Sequence, residues 1–188
     1  IESVDLKPDY LARLRALADL EVVARAGFRF VIDPMYGAAV GYLRQLFEAH
    51  SIPYREIHAW RDPLFGGLHP EPILPHLREL CLEVTRTGFD AGLATDGDGD
   101  RVGAVDASGN FVDPHKIFCL VLKHLLERGE RDDIARTFSA TKMVDRIAER
   151  YGVRVHETPS GFKYICELML EQNVMIGGEE SGGVGLRA

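Results

Sequence analysis

Short apolar runs alternate with longer stretches of helical periodicity along the whole chain, and this alternation constrains the fold more than any other feature. The first series reads as a helix over 8–26 closed by Gly27, a strand at Phe28–Ile32, a helix over 38–50, a strand at 54–57, a helix over 73–86 and a strand at Ala91–Ala94. Val102–Val105 and Phe111-Val112 read as a hairpin across Ala107-Ser108-Gly109-Asn110. A second series opens at Asp113-Pro114, an acidic cap followed by proline at the first helical position. Its helix runs to about Gly129, followed by a strand (136–139), a helix (142–151), a strand (153–157), a helix (162–171) and a strand (174–176). Strands that alternate with helices predict an α/β class. The expected architecture is two consecutive three-layer α/β/α domains with mixed, mostly parallel sheets. The expected domains are 1–110 and 111–188.

A chain of 188 residues, 46% hydrophobic and 27% charged, can bury a real core. Its net charge of −7 argues against a nucleic-acid partner, since phosphate backbones reward basic surfaces. No apolar run approaches the ~20 residues that span a bilayer, so no membrane partner is expected. Cys81, Cys119 and Cys166 each sit among apolar residues of an expected helix. They read as buried free thiols, which favours a reducing cytoplasm. The chain begins with Ile1, which suggests a piece of something longer.

Asp96-Gly97-Asp98-Gly99-Asp100-Arg101 follows the third strand, where α/β sheets gather their ligand loops. Two like charges ~4 Å apart repel by roughly 1 kcal/mol in water and by about 4 kcal/mol at an effective dielectric of 20. Three carboxylates so placed call for a cation, and oxygen-only ligation suits Mg²⁺ or Ca²⁺. Arg101 adds a group that matches phosphate geometry. An EF-hand needs glycine at its sixth position and glutamate at its twelfth, but here those positions are Arg101 and Ala107. A solvated acidic turn, a cation-binding module without catalysis, and a phosphatase that is phosphorylated on Asp96 are the alternatives.

Gly178-Glu179-Glu180-Ser181-Gly182-Gly183 follows the last strand. It places an acceptor and a donor for hydroxyl-bearing ligands on a glycine-rich loop, although a plain turn has the same composition. Ser160-Gly161-Phe162-Lys163 opens a helix whose N-terminus could receive an anion, or could be an ordinary cap with a surface lysine. Arg136 begins a strand, where an edge charge is the plain reading. Asp33-Pro34-Met35-Tyr36-Gly37 reads as a tight structural turn. The histidines at 50, 58, 69, 76, 115, 124 and 156 show no metal-ligand spacing and read as structural or surface residues.

Taken in order, these motifs resemble the α-D-phosphohexomutases, the phosphoglucomutase/phosphomannomutase family. The acidic loop is similar to that family's metal loop, and Gly178–Gly183 to its sugar-recognition loop. Asp33–Gly37, Phe65-Gly66-Gly67 with Pro70-Glu71-Pro72, and Thr158–Ile165 also resemble family segments. The resemblance implies Mg²⁺ on Asp96, Asp98 and Asp100, with Arg101 at the transferring phosphoryl group. It implies Glu179 and Ser181 on sugar hydroxyls, and Arg136 and Lys163 as a positive wall, with Lys163 able to assist proton transfer. The implied reaction interconverts hexose 1-phosphate and hexose 6-phosphate through a phosphoserine and a bisphosphorylated sugar. Glu180 and Gly183 lean toward glucose or mannose phosphates over glucosamine phosphate. Members have four domains, and residues 1–110 and 111–188 would be the second and most of the third. The serines at 3, 51, 108, 139, 160 and 181 lack the Thr-Ala-Ser-His-Asn-Pro type of context. The chain is therefore expected to be a central fragment whose partners are the missing first and fourth domains, and to be inactive alone.

Overall fold

The protein is described over residues 4–187 from a computed structural model. The elements in chain order are α1 (Lys7–Leu17), α2 (Leu20–Ala26), β1 (Phe30–Asp33), α3 (Tyr42–Ala49), β2 (Tyr54–Glu56), a short 3₁₀ turn (Phe65–Gly67), α4 (Arg78–Thr87), β3 (Ala91–Thr95), β4 (Val102–Asp106) and β5 (Phe111–Val112). They continue with α5 (Pro114–Glu127), β6 (Asp133–Thr137), α6 (Met143–Tyr151), β7 (Val155–Thr158), α7 (Phe162–Glu171), β8 (Val174–Gly178) and β9 (Val184–Leu186). One compact unit holds the chain up to Gly99 together with Val105–Phe111; the other holds Asp100–Ala104 and the chain from Val112 onward.

The first sheet has strand order β2-β1-β3-β4-β5, with β1 parallel to both β2 and β3. Adjacent residues of β1 show why helices must cover both of its faces. Val31 is buried among Leu77, Leu80 and Val84 at α4, whereas Ile32 is buried among Leu11, Leu46 and Phe47 of α1 and α3. Side chains of a strand alternate between faces, so a doubly apolar strand demands a layer on each side. Fully burying each such side chain stabilises the fold by about 1.5–3 kcal/mol.

The second sheet has order β7-β6-β8-β9, with β6 parallel to β7 and β8, and β9 antiparallel to β8. Ile134 of β6 faces Phe118, Leu122 and Leu126 of α5 and Val144 of α6, while Ala135 faces Ile165 of α7. This is the α/β class expected, with mixed, mostly parallel sheets.

Several boundaries differ from the sequence reading. The helix expected over 8–26 is two, because the Asp19 side chain accepts the Val22 N–H at 3.1 Å and caps α2 anew. Gly41 takes a left-handed backbone (φ 77°), so α3 begins at Tyr42 rather than Ala38. Turns at Glu71 and Ile73 delay α4 to Arg78. The strand expected at 136–139 is Asp133–Thr137, since Ile134 and Ala135 supply its two buried faces. The short strand β9 was not anticipated. Asp113 does cap α5, accepting the Lys116 N–H at 3.0 Å with Pro114 next.

The cysteines correct one expectation. Cys81 and Cys119 are partly buried and Cys166 is exposed, because α7 turns only one side to the sheet. All three are free thiols. Among the described residues no helix is long and apolar enough to cross a membrane.

Candidate functional site

The acidic loop begins where β3 ends. Asp96 is fully buried, and its Oδ1 accepts the Gly99 N–H at 3.0 Å. Gly99 has a left-handed backbone (φ 83°), which folds the loop back on itself. Two neighbouring segments grip Gly97: its N–H donates to the Pro70 carbonyl at 3.1 Å, and its carbonyl accepts the Ala38 N–H at 2.9 Å. Asp96, Asp98 and Asp100 each offer an oxygen within 4.8 Å of the others. All three lie within five consecutive residues, so the loop itself sets their closeness. The Asp98 and Asp100 side chains reach solvent, and Arg101 Nε stands 3.9 Å from Asp100 Oδ1. At the root of the loop, the Thr95 hydroxyl is buried with no hydrogen-bond partner. A cleft of about 520 Å³ lies beside Gly97, lined by Tyr36, Gly37, Arg61, Asp62 and Phe65 among others.

The turn after β1 is held by an ionic chain that is buried at Asp33 and His58 and reaches solvent at Glu79. Asp33 Oδ1 accepts the Met35 N–H at 2.8 Å, and His58 Nδ1 lies 3.0 Å from both Asp33 oxygens. The other ring nitrogen of His58 lies 3.1 Å from Glu79 Oε2. Burial alone would push His58 toward the neutral form, but the hydrogen bonds and charges of Asp33 and Glu79 outweigh it and raise its pKa. Tyr36 stacks 4.6 Å from His58 and meets Trp60 edge-on at 5.0 Å. Burial, and then the charges of Glu79, Asp33 and Asp62, raise the Tyr36 pKa. The reading of this motif as a structural turn fits that geometry.

The loop after β8 is equally determined. Glu179 N–H donates to the Gly183 carbonyl at 3.0 Å, and Gly182 is left-handed (φ 102°). Ser181 Oγ donates to Glu179 Oε1 at 2.6 Å, so the acceptor and donor expected for a sugar are bonded to each other. The next residue, read in sequence only for its lean toward glucose or mannose phosphates, is a second acceptor. Glu180 Oε2 accepts from Thr137 Oγ1 at 3.0 Å and from Ser139 Oγ at 2.5 Å. The Ser139 hydrogen bond leads the causes that hold its carboxyl below the usual range.

The two remaining cations differ. Lys163 is exposed on the first turn of α7, with its Nζ 4.7 Å from the Tyr164 ring centroid. Arg136 is 2% exposed and binds Asp145 through Nε and Nη2, each at 2.9 Å, and Glu157 through Nη2 at 2.9 Å. Its charge is already met by two carboxylates, which does not suit the positive wall expected of it. Finally, His69 and His76, which show no ligand spacing in sequence, come together with Glu71. The reading of every histidine as structural or surface overlooked that grouping.

Comparison with known proteins shows the family. The family model for phosphoglucomutase/phosphomannomutase, alpha/beta/alpha domain II, matches residues 8–109, and that for domain III matches 113–188. A phosphoglucomutase from Rhizobium radiobacter is 34% identical over 98% of this chain and 36% of its own length. A phosphoglucomutase/phosphomannomutase from Thermococcus kodakarensis is 31% identical over 96% of this chain and 40% of its own. Phosphoglucomutase 2 of Saccharomyces cerevisiae is 28% identical, with 98% of this chain against 35% of its own. The chain thus spans about a third to two-fifths of these relatives. Among solved structures, a Thermus thermophilus protein assigned as a phosphomannomutase superposes with a TM-score of 0.92 at 38% identity, over 98% of this chain and 43% of that one. The open form of Paramecium parafusin, a phosphoglucomutase, gives 0.87 at 26% identity, over 98% of this chain and 35% of that one. With both family models matched in order along nearly its whole length, the chain belongs to the phosphoglucomutase/phosphomannomutase family.

Proposed function

We propose that residues 1–110 and 111–188 are the second and third domains of a phosphohexomutase that moves phosphate between the 1- and 6-positions of glucose or mannose. The acidic loop carries this reading: three carboxylates with oxygens within 4.8 Å, on a backbone that two other segments fix, in a chain of this family.

The donor set fits a hard cation, and Asp96, Asp98 and Asp100 would hold Mg²⁺. When bound, Mg²⁺ supplies Lewis-acid compensation for charge at the transferring phosphoryl group. Arg101, next in the chain, adds a guanidinium suited to phosphate oxygens. Glu179 accepts from sugar hydroxyls, and Ser181 donates to them once the sugar replaces their mutual bond. Lys163, exposed on the first turn of α7, meets a phosphate or carries a proton. Arg136 leaves the substrate set, because Asp145 and Glu157 already neutralise it.

In the whole protein, the P–O bond of a phosphoserine breaks as a sugar hydroxyl oxygen bonds to phosphorus. The hydroxyl proton passes to a base, and the serine oxygen takes up a proton. The bisphosphorylated sugar turns over and returns its other phosphate by the reverse step. We place that serine outside these residues, and we assign the protein to the cytoplasm, where its three free thiols stay reduced.

Mg²⁺ titrated calorimetrically into the chain binds weakly, and the heat disappears in the Asp98→Ala/Asp100→Ala variant. Retained binding in that variant rejects the metal assignment. Turnover of glucose 1-phosphate by the chain alone, with a bisphosphorylated sugar as activator, rejects the reading of a fragment that is inactive by itself.

A further inference from the structure

A second group of potential metal ligands lies on the long loop before α4. His69, Glu71 and His76 each offer a ligand atom within 4.8 Å of the others. The two imidazoles stack at 5.6 Å with planes 26° apart, and His69 Nδ1 stands 3.8 Å from Glu71 Oε2. Tight turns create this grouping. The Glu71 N–H donates to the His69 carbonyl and the Ile73 N–H to the Glu71 carbonyl, each at 2.8 Å, which returns His76 to the side of His69. Buried Pro72 and Leu77 anchor the loop between and beyond the ligands. The Pro70 carbonyl is held by the Gly97 N–H.

We propose that His69, Glu71 and His76 form a binding site for a borderline divalent cation, Zn²⁺ foremost. The donor chemistry separates it from the acidic loop. Two neutral imidazoles and one carboxylate suit Zn²⁺, Ni²⁺ or Cu²⁺, whereas an all-carboxylate set suits Mg²⁺. Three protein ligands leave a fourth position for water or another ligand. Ligands on tetrahedral Zn²⁺ at 2.0–2.1 Å lie roughly 3.3 Å from one another. Side-chain rotation closes the difference from 4.8 Å, since the His69 side chain is 71% exposed. The sequence hides the site because His-x-Glu and the later His are not spaced as ligands on one helix or strand.

The test is a Zn²⁺ titration of the purified chain in excess Mg²⁺, which occupies the hard-cation loop. One Zn²⁺ per chain is expected, with affinity falling about tenfold or more in His69→Ala/His76→Ala and less in Glu71→Gln. Zn²⁺ should raise the melting temperature of the parent chain and not of the double variant. Asp98→Asn/Asp100→Asn should leave Zn²⁺ binding unchanged. If the double variant fails to fold, Co²⁺ substitution in the parent and in Glu71→Gln decides, through a visible band whose intensity and position change when the carboxylate is lost. Absent Zn²⁺ binding, equal affinity in the histidine variant, a Co²⁺ spectrum indifferent to Glu71→Gln, or loss confined to the aspartate variant would each overturn the proposal.

Discussion

A β-carbon on Gly37 would stand 2.8 Å from the α-carbon of Gly97, so the turn after β1 meets the acidic loop backbone against backbone. The Ala38 N–H completes the contact at the Gly97 carbonyl, 2.9 Å away. Neither chain can yield as a flexible side chain would. Gly37→Ala should therefore cost about 1–3 kcal/mol in urea unfolding, as overpacking does. Because the displaced atoms belong to the acidic loop, the same variant should also weaken Mg²⁺ binding. An unchanged unfolding midpoint would mean that the loop moves freely past the turn.

His58 between Asp33 and Glu79 predicts a specific pH dependence. Its pKa is raised above the ordinary 6.5 by partners that outweigh burial. The stabilisation is thus fully present below about 6.5 and is lost as pH rises through the higher folded value. Urea midpoints should fall across that window in the parent chain. In His58→Gln this group no longer titrates, so the profile there should be flatter than the parent's. Identical slopes in the two proteins would show that the imidazole does not hold its proton against these carboxylates.

The alternation of strands and helices was legible because doubly buried strands such as β1 require apolar residues in succession, as Val31 and Ile32 show. The closeness of the acidic loop's carboxylates was legible because they are neighbours in the chain. Arg136 was not, since nothing in the sequence tells that Asp145 and Glu157 converge on it from α6 and β7. The same holds for Glu180, whose donors Thr137 and Ser139 lie on another strand and its loop. The break between α1 and α2 was hidden by helical periodicity that continues across Asp19, where the side chain caps a new helix instead of continuing the old one.

Arg136 should behave as a stability residue. Removing a buried guanidinium leaves its carboxylates without their partner, which costs about 3–5 kcal/mol when both are buried. Here the Asp145 and Glu157 side chains are 38% and 51% exposed, so water takes over part of the role and about 1–3 kcal/mol is expected for Arg136→Met. Arg136→Lys should recover only part, because a single ammonium cannot reproduce the paired Nε and Nη2 bonds to Asp145. Asp145 is held below the usual carboxylate range chiefly by the Arg136 hydrogen bonds. Its contribution is present above the unfolded pKa and is lost as pH falls through the folded one. The Met variant should therefore lose less stability on acidification than the parent. Equal acid sensitivity would count against the pair.

Glu180 and Thr137 offer a measurement that separates the second acceptor from its neighbour Glu179. Thr137 is fully buried and its hydroxyl donates a hydrogen bond to Glu180 Oε2. Glu180→Ala leaves that hydroxyl without its carboxylate, and Thr137→Val removes the hydroxyl while keeping the shape. A cycle of the two single variants and the double variant should give a coupling of about 1 kcal/mol in urea unfolding, reduced from the value for charged hydrogen bonds by the exposure of Glu180. The Glu180 carboxyl is held below the usual range, led by Ser139. The coupling should therefore be complete above the unfolded pKa and shrink as pH falls through the folded value. Ser181→Ala should leave it untouched, because Ser181 donates to Glu179 instead. A coupling near zero at neutral pH, or one that vanishes in Ser181→Ala, would show that the two glutamates do not divide the hydroxyls between them in this way.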